Sequence, residues 1–114
     1  MADLLEEFIT RTNRLRDEAH RAHWDESSGY RHETLGEFYE GLPEQMDRFV
    51  EPFIAAVQRK PEAPEDINAR VRTEMLWLAK NREGLAEQIP ALENIIDEIS
   101  KFYLDALFKL ENLR

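Results

Sequence analysis

The sequence predicts an all-α fold. Only 4 Gly and 5 Pro in 114 residues leave little material for the turns of a sheet architecture. Hydrophobic residues (42%) and charged residues (34%) stand in the ratio of an ordinary folded chain. Most of the apolar residues recur every three or four positions, the period of an amphipathic helix.

The first stripe is Leu4, Leu5, Phe8, Ile9, Leu15, Ala19 and Ala22, which predicts a helix over about 3–25. Asp25-Glu26-Ser27-Ser28-Gly29 supplies turn and cap residues. A second helix over about 30–58 follows from Leu35, Phe38, Leu42, Met46, Phe49, Phe53 and Val57. Pro43 falls inside it and removes a backbone donor, so a kink near 39–42 is expected. Pro61 and Pro64 mark a linker. Beyond it, Ile67, Val71, Met75, Leu78 and Leu85 predict a helix over about 67–88. Pro90 then precedes the most regular stripe, Leu92, Ile96, Ile99, Tyr103, Ala106, Leu110 and Leu113, over about 91–112. One four-helix bundle domain spanning 1–114 is the simple solution. The linker, 58–69, is long enough for either an up-down-up-down turn or a stretched crossover along the bundle, with a slight preference for the crossover.

Composition narrows the function. No apolar run reaches the ~18 residues of a membrane span, and the acidic start lacks the positive charge of a signal peptide, so a cytoplasmic protein with no membrane partner is expected. The formal net charge is −9 with no basic tail, which disfavours direct DNA binding. With 0 Cys, any metal must be held by His, Asp and Glu, and iron, manganese and zinc all suit such ligands.

The residues with metal-ligand chemistry are His23, His32, Asp47 and Glu51. A straight helix rises about 1.5 Å per residue, so His32 and Asp47 lie about 22 Å apart and cannot share an ion within one chain. His23 and His32 flank the first connection, where an antiparallel hairpin brings them together as half a site. With Leu35 at zero on the helical wheel, the apolar stripe clusters within roughly 60°, and Asp47 and Glu51 fall at roughly 120° and 160°. That flank also holds Gly36, Glu40, Pro43 and Ile54, and it reads as a surface where a second copy approaches over the small Gly36. A twofold dimer would then complete the ligand set. Leu104 and Phe108, opposite the fourth-helix stripe, read as a second oligomer contact. Against the metal reading, histidines near helix ends commonly cap carbonyls, and acidic pairs one turn apart are usually solvated. His20, three before His23, reads as a solvated side chain, with a third ligand on the same face as the alternative, and Trp24 as an anchor.

His23-Trp24, His32 and Asp47-(x)3-Glu51 resemble the helix-one and helix-two signature of the Dps-like branch of ferritin-like proteins, the mini-ferritins. Ser28-Gly29-Tyr30-Arg31-His32, Leu35-Gly36-Glu37-Phe38-Tyr39, Asp47-Arg48-Phe49-Val50-Glu51 and Leu92-Glu93-Asn94-Ile95-Ile96-Asp97-Glu98-Ile99 are similar to small Dps-like proteins found largely in bacteriophage genomes. The resemblance implies a ferritin-like bundle, a homo-oligomer and a ferroxidase-type iron site at His23, His32, Asp47 and Glu51. The interval from His23 to His32 is shorter than in Dps proteins, and helices two and four lack the Glu-x-x-His pairs of intrasubunit di-iron bundles. Two functions follow: a metal-binding, iron-oxidising oligomer, or a non-catalytic helical module with a vestigial site that binds a host protein.

Overall fold

The computed structural model describes residues 3–112, and all their regular structure is helical. The helices are α1 (Leu4–Asp25), α2 (Gly29–Val57), α3 (Ile67–Leu85) and α4 (Glu93–Asn112), with a single 3-10 turn at Pro90–Leu92. The chain divides into two compact units, one ending at Glu62 and the other beginning at Ala63. Each unit is a helical hairpin. Leu113, which closes the expected fourth stripe, lies outside the described residues.

In the first unit, Asp3 caps α1 by accepting the Glu6 N–H at 3.2 Å, and Glu6 and Glu7 place negative charge at the positive end of the helix dipole. The hairpin turn is organised by Glu26. Its carboxylate accepts the Ser28 N–H at 3.0 Å and the Arg31 Nε–H at 2.8 Å. The Arg31 hydrogen bond and then the Ser28 amide hold the Glu26 carboxyl below its ordinary 4.5. α2 runs unbroken through Pro43 and Pro52, so the Tyr39 and Arg48 carbonyls lack their usual helical donors. It ends at Gln58, in the left-handed region at φ 57°, whose N–H reaches the Ile54 carbonyl. The chain then folds back onto the start of α1. Arg59 pairs with Asp3, and the Glu62 N–H donates to Glu6 Oε1 at 2.7 Å. Arg59 and Glu62 are therefore tied down against the start of α1.

Leu5, Ala19 and Gly36 are buried between the helices, and Phe8 meets Phe49 edge to face at 5.3 Å. One flank of this hairpin stays apolar and exposed through Leu4, Leu15, Phe38 and Phe49. The other flank is lined by carboxylates.

In the second unit, Asp66 caps α3 by accepting the Ala69 N–H at 2.9 Å. Leu78, Ala86 and Ile96 form its core, with Tyr103 packed against them. α3 ends at Leu85, three residues before the expected 88, where Gly84 and the tight turn through Ala86 and Ile89 replace helical bonding. Arg82 crosses to α4 with a bidentate pair on Asp97, at 2.7 and 2.9 Å, and also reaches Glu93 at 3.2 Å. A two-helix hairpin has only one line of contact, so much of each stripe stays open. Ile95, Ile99 and Phe102 form an exposed seam on α4 beside the buried line of Ile96 and Leu107.

Candidate functional site

His23 sits in the last turn of α1 and His32 at the start of α2, and the short turn between them brings the two side chains face to face. The imidazoles stack at 3.6 Å with 20° between their planes. Each ring also reaches across to the other residue's backbone. His23 Nδ1 lies 2.7 Å from the His32 carbonyl, and His32 Nδ1 lies 2.6 Å from the His23 carbonyl. A carbonyl only accepts, so both Nδ1 atoms carry a proton, which leaves Nε2 as the nitrogen that could ligate. The His23 carbonyl is one of the last four of α1, which have no intrahelical donor, and the His32 ring supplies one. The two imidazoles expected to meet at the hairpin end are thus neighbours.

Gly36 makes this arrangement sterically possible. A Cβ at Gly36 would lie 3.1 Å from His23 Cε1 and 3.3 Å from Nδ1. The close approach over Gly36 is made by the chain's own α1, which corrects the expectation that a second copy uses it. His20 differs from expectation as well. It is half-buried, stacked on Tyr39 at 3.8 Å and tilted against Trp24 at 4.0 Å, and Tyr39 also meets the His23 ring edge-on at 5.3 Å. Tyr39 was missed because its place beside His20 depends on which α2 residues face α1. The signal available was its position one turn after Leu35 in the apolar stripe.

Asp47 and Glu51 stand apart from the histidines. α2 is one continuous helix, so Asp47 and Glu51 lie about 22 and 28 Å along it from His32. Glu51 is exposed, and Asp47 lines a groove between α1 and α2. They are the last two of six exposed carboxylates, Glu33, Glu37, Glu40, Glu44, Asp47 and Glu51, spaced alternately by four and three along one face. None of the six is in an ion pair among the described residues. Among the described residues no three His, Asp or Glu side chains are gathered as a metal would need. The stacked rings carry a further constraint. An imidazole lone pair lies in its ring plane, so near-parallel rings 3.6 Å apart do not aim at a common point. One ring must tilt before both can ligate one ion.

Comparison with models of protein families, with curated proteins and with solved structures gives no match. No helix among the described residues is long and apolar enough to cross a membrane.

Proposed function

We propose that the chain is a non-catalytic helical assembly and interaction module. The observation that carries this reading is the amount of apolar helix surface each hairpin leaves uncovered. Phe102 is 73% exposed, and Leu104 and Phe108, on a different side of α4, are 54% and 64% exposed. Large apolar side chains exposed to this extent mark interaction surfaces. We propose a ferritin-like four-helix bundle as the fold, with Leu104 and Phe108 as a contact between copies. Light scattering on the full chain tests this: the wild type assembles beyond its 13.5 kDa monomer, and Leu104→Asp or Phe108→Asp lowers the mass with helicity retained. An unchanged mass refutes the assembly reading.

A second reading, a Dps-like metal-binding and iron-oxidising oligomer, is favoured by the two imidazoles whose Nδ1–H groups are tied to carbonyls. That is how protein histidines are oriented for ligation through Nε2. Here His23 and His32 of one copy meet Asp47 and Glu51 of another, with iron, zinc or manganese between them. The six-carboxylate stripe opposes such a pairing unless cations neutralise it. Elemental analysis of purified protein, repeated on His32→Ala and Asp47→Ala, decides it: metal below one ion per two chains in the wild type refutes it.

A further inference from the structure

The flank of the first hairpin that carries the carboxylates also holds a groove of about 260 Å³ between α1 and α2. Its floor is apolar, built from Ile9, Leu42, Pro43, Met46 and Val50. Asp47 stands on its α2 rim and Asn13 and Arg16 on its α1 rim. Ile9 to Arg16 and Leu42 to Val50 each span about two helical turns, a length that receives the i, i+3/i+4 and i+7 side chains of one docked helix.

We propose that this groove binds a cationic amphipathic helix of a partner protein, a proposal that rests on the interaction-module reading and supplies its partner chemistry. The charge beside the groove selects the occupant. Asp47 on its α2 rim belongs to the row of six exposed, unpaired carboxylates that runs along α2, whereas Arg16 is the one base among its lining residues, so Lys and Arg flanking the apolar stripe of the incoming helix meet complementary charge. A second copy is disfavoured here, because its own α2 would bring the same six carboxylates and the chain is already at −9. The opposite flank, where Leu4, Phe38 and Phe49 are exposed, is not part of the site.

The probe is a fluorescein-labelled helical peptide of about 18 residues, five turns, built only of Leu and Lys with Leu on one face. Controls are a scrambled-order peptide and a Leu/Glu peptide of the same pattern, and binding to the full chain is read by anisotropy. The Leu/Lys helix is expected to bind at least about tenfold more tightly than either control, with affinity falling as salt is raised. Neutralising the exposed rim (Glu40→Gln, Glu44→Gln, Asp47→Asn together) weakens it about tenfold, and so does Asn13→Trp, which fills the groove from its exposed edge. Circular dichroism accompanies both, and because the triple variant alters only exposed side chains, it keeps the test decisive if Asn13→Trp misfolds. Equal binding of the Leu/Glu or scrambled peptide, or affinity unchanged by rim neutralisation, overturns the proposal. Leu104→Asp alters mass and leaves peptide binding intact, so failure of the assembly reading shows separately from failure of this one.

Discussion

Gly36 and Gly41 are five residues apart on α2 yet occupy opposite situations. Around Gly41 there is nothing within 4 Å of an added Cβ, whereas at Gly36 the His23 ring is 3.1 Å away. Replacing a helix-interior glycine by alanine generally stabilises by roughly 0.5–1 kcal/mol, since glycine loses more backbone freedom on folding. Gly41→Ala is expected to show that gain in urea unfolding. Gly36→Ala is expected to forfeit it, because the His23 ring must move and its hydrogen bond to the His32 carbonyl, worth about 1 kcal/mol net, is strained. Imidazole NMR signals of His23 and His32 should shift in Gly36→Ala and stay in place in Gly41→Ala. Equal stabilities for the two variants would contradict the packing described.

At the scale of elements, each hairpin is pinned near its turn by an acidic residue held by arginine. Arg31, then the Ser28 amide, lowers the Glu26 carboxyl from 4.5, and Arg82 lowers Asp97 from 3.8. A carboxyl whose folded value is depressed contributes stability that is present above its ordinary value and lost as pH falls through the lowered one. Asp97 is exposed and Glu26 is half-buried at the surface, so solvent screens both effects. Thermal midpoints should fall as pH drops below about 4.5. In Glu26→Gln and Asp97→Asn the decline should be shallower. Helix positions were legible from spacing and caps: three of the four predicted starts lie within one residue, because caps and prolines act locally. The end of α3 was less legible, since the turn after Gly84 depends on Ala86 packing into the second-unit core.

For the whole molecule, exposed apolar surface and excess negative charge act in opposite directions. Apolar seams drive association, while a charge of −9 limits it, so any assembly through Leu104 and Phe108 should grow in mass as salt screens the repulsion. Sedimentation at low and high salt checks this, and a mass that falls with salt would point to ion pairing instead. Asp47 and Glu51 show how a wider pattern escapes a search for ligand spacing. Taken as a pair they resemble ligands, but with Glu33, Glu37, Glu40 and Glu44 they form one continuous acidic face. The histidines were legible as neighbours, since a short turn between antiparallel helices leaves little alternative.

By itself the sequence determined the helices, their caps and the meeting of α1 with α2, because those follow from periodicity and from bonds between residues a few positions apart. Only the tertiary structure decided that His23 lies over Gly36, that His20 stacks between Trp24 and Tyr39, and that an apolar groove runs beside the carboxylates. Those contacts depend on the rotation of each helix about its axis. That rotation is set by how side chains from distant positions fit together, which no local pattern encodes.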